Sequence, residues 1–308
     1  MARMTTHQHD ETYAHGSSAE TKRLPAWLRR PIAKPGAYSE IDGLLGELNL
    51  NTVCQSAKCP NRGECFSDGT ATFLIMGGVC TRNCRFCAVE SKQPAPLDPD
   101  EPRRVAEAAA RMGLRHVVIT TVTRDDVADG GAAHFVATIE SVRAAVPDAA
   151  VEVLTSDFGG RVESIDAVAA ARPDVFNHNV ETVPRLYPEV RPEADYTRSR
   201  RVLERVRETQ PDLPTKSGLM LGLGETHGEV VAVLRDLRES GVSMLTLGQY
   251  LRPSSAHLPV VEFVEPEEFA SLAREAYALG FSAVASAPFV RSSYHAGELN
   301  DSLASDGA

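Results

Sequence analysis

A chain of 308 residues with 43% hydrophobic and 24% charged side chains is long enough to bury one barrel-sized core or two smaller ones, and its apolar share excludes disorder for most of its length. The formal net charge of −10 excludes the basic footprint of a nucleic-acid binder, so no nucleic acid is expected as a partner. No apolar run approaches the ~18 residues of a membrane span, and the start has no signal-peptide h-region, so the expectation is a cytoplasmic protein with no membrane span.

Residues 1–50 read as an N-terminal extension. Its first ~20 residues are polar and are expected to be mobile; His7, His9 and His15 lie there and are given no metal role. Next comes a Pro-rich basic stretch carrying Lys22, Arg23, Arg29, Arg30 and Lys34, read as a solvated segment. Ile41, Leu44, Leu45 and Leu48 then recur at helical spacing, and this helix leads into a cysteine-rich segment, residues 51–70.

From residue 71 to 285 short β-rich runs alternate with amphipathic stretches, the signature of repeated βα units on a parallel sheet. Strands are expected at "TFLIMGG", "HVVITTV", "VEVLTSD", "DVFNHNVET", "KSGLMLGL" and "SMLTLGQYL". Between the first two, the prolines of "SKQPAPLDPDEP" forbid a regular helix or central strand. The clearest helix is 266–279, with Pro266 in its first turn, Glu267 and Glu268 at the positive end of the dipole, Phe269, Leu272, Ala276 and Leu279 as its apolar stripe, and Gly280 as its stop. Six units are too few for an eight-stranded barrel and fit an open, partial one. The expected fold is therefore α/β, a partial (βα)6 barrel with N-terminal and C-terminal extensions, the latter from 286 to 308 with a mobile tail. Chemistry in such barrels sits on the loops at the C-terminal ends of the strands.

The cysteines carry that chemistry. All six lie between residues 54 and 87, and in a long chain of a reducing compartment they favour metal ligation over disulfides. Cys80, Cys84 and Cys87 form C-x3-C-x2-C. A closed zinc site wants four ligands, usually in two separated pairs, whereas three soft thiolates on one tight loop suit a four-iron cube. Three ligands for four irons leave one iron open to a cosubstrate. Cys54, Cys59 and Cys65 form a second triad, C-x4-C-x5-C, with no further cysteine to complete it, so a second cluster there needs a non-thiolate ligand or stays open. No G-x-S-x-G or H-E-x-x-H is present, and hydrolysis finds no support.

C-x3-C-x2-C after a strand resembles the signature of the radical S-adenosylmethionine (SAM) enzymes. Its pairing with C-x4-C-x5-C, together with "CPNRGEC", "RDDVADGGA", "KSGLMLGLGET", "TLGQYLRPS" and "VRSSYHAGE", resembles the lipoyl synthase family from about residue 25 to residue 298. That resemblance implies a barrel of the radical SAM type and insertion of two sulfur atoms, at C6 and C8, into an octanoyl group on a carrier-protein lysine. It implies two 4Fe-4S clusters: one on Cys80, Cys84 and Cys87 that engages SAM, and a sacrificial sulfur donor on Cys54, Cys59, Cys65 and Ser292. Two SAM molecules are consumed per lipoyl group. Phe86 is implied near the adenine, and Asn177, Asn179, Glu181, Gly222 and Glu225 are the candidate SAM contacts; His178, alternating with the asparagines, is read as structural.

Implied partners are octanoylated lipoyl carriers (dehydrogenase-complex E2 lipoyl domains and glycine-cleavage H protein), an electron donor such as flavodoxin or ferredoxin, and an iron–sulfur assembly or carrier protein. Phe66 stands where the family often has tryptophan, and Gln55 where it often has an acidic residue. Rival readings are a radical sulfur inserter resembling biotin synthase, a ferredoxin-like carrier and a zinc-stabilised binding module.

Overall fold

The computed structural model describes residues 23–29, 38–56, 59, 61–294, 296–297 and 299–300. The start expected to be mobile, with His7, His9 and His15, the basic residues Lys22, Arg30 and Lys34, and the tail from 301 lie outside the described residues.

Strands β1 (Asn51–Thr52), β2 (Thr70–Ile75), β3 (Val79–Cys80), β4 (Glu90–Ser91), β5 (His116–Thr121), β6 (Ala150–Leu154), β7 (Val175–Asn177), β8 (Thr215–Leu221), β9 (Met244–Gln249) and β10 (Ala283–Ser286) build two sheets. The large one runs β1-β2-β5-β6-β7-β8-β9-β10, and β3 pairs with β4 in a small one. β1 is antiparallel to β2; the other neighbours are parallel. The two edges are not paired with each other, so the sheet stays open. Sequence reasoning gave six parallel strands and the structure has a seventh, β10, whose small residues (Ala283–Ser286) carry little of the branched signal of a buried strand.

The helices are α1 (Ser39–Glu47), α2 (Val53–Ser56), α3 (Arg62–Ser67), α4 (Glu101–Arg111), α5 (Ala132–Ala145), α6 (Val162–Ala170), α7 (Tyr187–Val190), α8 (Tyr196–Thr209), α9 (His227–Glu239) and α10 (Pro266–Ala278). Local chemistry sets their ends. Thr226 and Glu229 form a capping box at α9, and the Asp195 side chain accepts from Arg198 N at α8. α10 begins on Pro266 and stops before Gly280, whose φ is +92°, as the sequence indicated.

Strand periodicity sorts the side chains. One set, including Phe73, Ile75, Val117, Ile119, Val151 and Val153, packs against Val105, Ala108, Phe135, Ile139 and Val142 of α4 and α5. Further along, Leu219, Leu221, Leu245 and Leu247 pack against Val230, Leu234, Leu237, Phe269 and Leu272 of α9 and α10. Full burial of each such side chain is worth about 1.5–3 kcal/mol. The alternate positions turn to the inner face, where the set is polar. Lys216 Nζ lies 2.9 and 3.2 Å from the two Glu152 oxygens, with His116 Nε2 at 3.4 Å and Asn177 Nδ2 at 3.1 Å, all buried. Near them Leu299 of the C-terminal segment packs with Val175, Met244 and Ala283. Among the described residues no helix is long and apolar enough to cross a membrane.

Candidate active site

Cys80 ends β3, and the β3–β4 pairing closes its loop, with Lys92 N donating to Cys80 O (3.2 Å) and Cys87 N to Cys84 O (3.0 Å). Two backbone N–H groups, Arg82 (3.4 Å) and Thr123 (3.2 Å), point at Cys80 Sγ. The loop is tied down by Arg82. Its guanidinium donates to both oxygens of Asp125 at 2.7 and 2.8 Å and to both of Asp157 at 2.9 and 2.7 Å. Asp157 also accepts from Arg198 Nε (2.7 Å) and Gly159 N (2.9 Å). Burial opposes a charge on Asp157, but these donors hold its carboxyl well below the usual range. Arg85 N donates to Val190 O (3.0 Å) and Asn83 N to Glu193 Oε2 (2.7 Å). The loop is thus fastened to the C-terminal ends of the β5, β6 and β7 units, where barrel chemistry belongs.

Burial pushes the Cys87 thiol up to about 11 and raises Cys84, where the Arg191 guanidinium opposes it. The three sulfurs lie within electrostatic reach of one another. In the second triad Cys54 sits on α2 and Cys65 on α3, and Cys59 N donates to Cys54 O (3.2 Å). Burial and the neighbouring thiols push Cys54 up to about 11 and Cys65 to about 12. Phe66 packs edge-on to Tyr38 at 6.4 Å, and Gln55 donates to Asp42 Oδ1 (2.7 Å). Among the described residues no three His, Cys, Asp or Glu are grouped to hold a single metal ion. The fit for iron–sulfur cubes rests on the donor set: two groups of three mutually close thiols, none in a disulfide, one sulfur already met by two N–H donors.

The C-terminal segment ties the second cysteine segment to the end of β7. After β10, Ala287 N donates to Leu247 O (3.2 Å) and Gln249 N to Pro288 O (3.2 Å), and a Cβ at Gly248 would collide with the Val290 carbonyl. Asn61 Nδ2 donates to Phe289 O (2.7 Å), and Tyr294 OH to Glu64 Oε1 (3.0 Å). Between them, Ser292 Oγ accepts from Asn179 Nδ2 at 2.5 Å. Ser292, expected at one cluster, therefore touches a residue expected at the other.

The remaining candidates divide. Asn179 Nδ2 also reaches Glu181 Oε1 (3.2 Å). Glu181 has a left-handed φ of +66°, strain that tends to gather at functional sites; burial pushes its carboxyl up, against Arg191 and Asn179. Asn177 instead lies deeper, bonded to Glu152. Gly222 has φ +98°, and a Cβ there would meet Gln249 Nε2 and Glu262 O, so packing alone demands a glycine. Glu225 turns back to accept from Gly222 N (2.5 Å) and Leu223 N (3.0 Å). Phe86 packs against the apolar cluster that includes Val190 and Leu258. His178 Nδ1 donates to Thr155 O (2.9 Å), and burial lowers its pKa to about 4, so it is neutral.

Sequence reasoning missed Asp157 and Arg191. No spacing pattern links Arg82 to an aspartate 75 positions away. Arg191 follows α7, its Nη1 3.3 Å from Asn179 O, Val180 O and Tyr187 OH, on a strand-end loop that offered no motif.

The sequence matches the Radical SAM superfamily over residues 74–237. It is 58% identical over 276 residues to the lipoyl synthase of Caldanaerobacter subterraneus subsp. tengcongensis, covering 90% of this chain and 96% of that protein. With the lipoyl synthase of Nitrosococcus oceani it shares 55% identity over 280 residues, covering 91% and 86%. Among solved structures, methylornithine synthase aligns with a TM-score of 0.53 at 13% identity, covering 77% of this chain and 73% of that one. The hydrogenase maturase HydG aligns at 0.53 and 16%, covering 86% and 70%; likenesses at such identities speak to fold alone. Identity above one half across nine-tenths of the sequence, on a fold the superfamily shares, leaves one conclusion: the chain belongs to the lipoyl synthase family of radical SAM enzymes.

Proposed function

We propose that this chain inserts sulfur at C6 and C8 of an octanoyl group on a carrier-protein lysine, with Cys80, Cys84 and Cys87 holding the cluster that engages SAM and with Cys54, Cys59, Cys65 and Ser292 holding an auxiliary one. Family membership makes it a radical SAM sulfurtransferase acting on a lipoyl carrier protein, and does not favour a small-molecule inserter resembling biotin synthase. The single observation that supports the division of labour is the C-terminal crossing, in which one short segment bonds Asn61, Glu64 and Asn179.

Octanoyl C6 and C8 are not acidic, so no side-chain base, however tuned, serves them; a hydrogen atom must be abstracted. When bound, the SAM-engaging cluster supplies the electron that yields a 5'-deoxyadenosyl radical, two SAM molecules serving per lipoyl group, and the auxiliary cluster supplies sulfide. The chain's own part is to anchor and enclose. Arg82 fixes the first loop on Asp125 and Asp157, and the C-terminal segment bonds both the second cysteine segment and Asn179, an arrangement that lets a carbon radical meet sulfur without a bimolecular search. Asn179, Glu181, Gly222, Glu225 and Phe86 are assigned to the SAM side, with Asn177, which is bonded to Glu152, the further candidate there.

We assign residues 1–50, 51–70, 71–285 and 286–308 to the N-terminal extension, auxiliary-cluster segment, partial barrel and C-terminal segment. The partners proposed are E2 lipoyl domains and glycine-cleavage H protein as carriers, flavodoxin or ferredoxin as reductant, and an iron–sulfur assembly or carrier protein for repair, all in the cytoplasm.

The test is anaerobic incubation of reconstituted protein with an octanoyl-lysine peptide, dithionite and SAM, followed by mass analysis. Reconstituted protein should carry about eight irons and eight sulfides; zinc near stoichiometry would favour a binding module. Cys80→Ala should abolish 5'-deoxyadenosine formation, and Cys59→Ala should keep it while blocking thiolation. Loss of both activities in both variants, with the fold intact, refutes the assignment.

A further inference from the structure

The connection between β9 and α10 straps the cysteine loop to the Gly222 turn. At its cysteine end Leu258 N donates to Arg85 O (3.2 Å), and the His257 ring nitrogen Nε2 lies 2.9 Å from the Cys87 carbonyl. At its other end Val261 N donates to Gly222 O (2.9 Å), while Gln249 Nε2 donates to Leu221 O (3.0 Å) and Glu262 O (3.0 Å). The strap is braced within itself. Tyr250 OH donates to Leu258 O (2.8 Å), Arg252 Nε to His257 O (2.8 Å), and Val264 N to Gln249 Oε1 (2.8 Å).

The ring's hydrogen positions follow from its partners. A carbonyl only accepts, so Nε2 carries a proton and donates to Cys87 O, while Nδ1 faces Ser254 Oγ, 2.9 Å away. His257 is held at both nitrogens, and a fixed donor on the Cys87 carbonyl fixes the peptide plane attached to the Cα that carries the thiol.

We propose that His257 is a positioning residue for the reaction: through Cys87 O it sets the backbone that presents the Cys87 thiol, and through its strap it keeps that thiol in register with the Gly222 turn on the SAM side. The proposal rests on reading Cys80, Cys84 and Cys87 as the ligands of the SAM-engaging cluster. Its signature is selective. Loss of the donor weakens SAM engagement at the cluster without emptying the site.

Reconstituted wild-type protein is compared with His257→Ala, His257→Asn and His257→Gln. Glutamine carries an amide N–H about as far from the backbone as Nε2; asparagine reaches only as far as Nδ1. The readout is the SAM concentration giving half of the SAM-dependent change in the electron paramagnetic resonance spectrum of the reduced protein, with iron content and melting temperature measured alongside. His257→Ala and His257→Asn should need about tenfold more SAM, the factor one lost hydrogen bond produces, while His257→Gln stays within about twofold of wild type. Wild-type behaviour of His257→Ala overturns the proposal. So does an equal loss in all three variants that tracks iron content or melting temperature. Cys80→Ala separates this from the underlying reading, because a SAM-dependent spectral change surviving in that variant refutes the ligand assignment whatever His257 does.

Discussion

Replacing Lys216 with methionine tests the polar inner face of the barrel. In the native chain burial opposes ionisation of Glu152, yet the Lys216 ammonium and the His116 ring overcome it and bring the carboxyl to about 2. Both Glu152 and Lys216 are fully buried. Methionine leaves the carboxyl with only His116 and Asn177, and an uncompensated buried charge costs about 3–5 kcal/mol. Protonation sets the ceiling. Taking up a proton at pH 7 against an unfolded pKa of about 4.3 costs 1.36 kcal/mol per unit, about 3.7 kcal/mol, and at pH 5 only about 1 kcal/mol. The sign separates variant from wild type. A depressed native pKa gives stability that is present above the unfolded pKa and lost only as pH falls towards about 2. In Lys216→Met the native pKa lies above the unfolded one, so stability falls as pH rises from 5 to 7. Urea unfolding of anaerobic protein at pH 5, 6 and 7 measures this slope, and Lys216→Met with Glu152→Met should recover most of the loss. A deficit that does not change with pH, or a double variant no better than the single one, refutes the buried-pair argument.

Gly248→Ala forces the Val290 carbonyl aside and should disturb the segment carrying Ser292; thiolated product falls by about tenfold or more for a misplacement of this kind, while 5'-deoxyadenosine formation persists in a mass-spectrometric assay. Arg82→Lys keeps the charge but loses the paired contacts with Asp125 and Asp157; the SAM-dependent resonance spectrum should broaden and 5'-deoxyadenosine formation drop by about a hundredfold. His227 donates to Glu268 (2.6 Å) and pairs with Glu275 (2.8 Å), and the Glu268 bond raises its pKa. The stability it contributes is full below its ordinary value and lost as pH rises through the raised one; at this exposed site that is about 0.5 kcal/mol, and His227→Gln should flatten the pH dependence of the melting temperature there.

The parts of the fold written in local chemistry were readable from sequence. The 266–279 helix has its proline, first-turn glutamates and terminal glycine, and the six branched strands alternate with amphipathic helices. β10 escaped because alanine and serine carry almost no strand signal, and β1 because two residues make no period. The cysteine triads were visible as groups because Cys80, Cys84 and Cys87 fall within eight positions and Cys54, Cys59 and Cys65 within twelve. Arg82 with Asp157, Asn179 with Ser292 and His257 with Cys87 were not, since each pair joins loops that follow strands not paired with each other and leaves no spacing to detect.

On the proposed assignment, the Asn179–Ser292 bond couples the SAM side to the auxiliary site. A serine oxygen is a harder and poorer donor to iron–sulfur than a thiolate, so a site completed by Ser292 opens more easily than one completed by cysteine. In the structure that oxygen is held by an amide beside Glu181 and Arg191, on the side assigned to SAM. A ligand that draws on the Asn179 amide alters what holds Ser292, and the reverse follows by linkage. Asn179→Ala should therefore change SAM affinity and the stability of the auxiliary cluster together, where Ser292→Ala changes the second and, through the vacated amide, shifts the first in the opposite direction. SAM titration and iron-release kinetics on the two variants measure both quantities; independent responses would mean that the two residues share a contact without sharing a function.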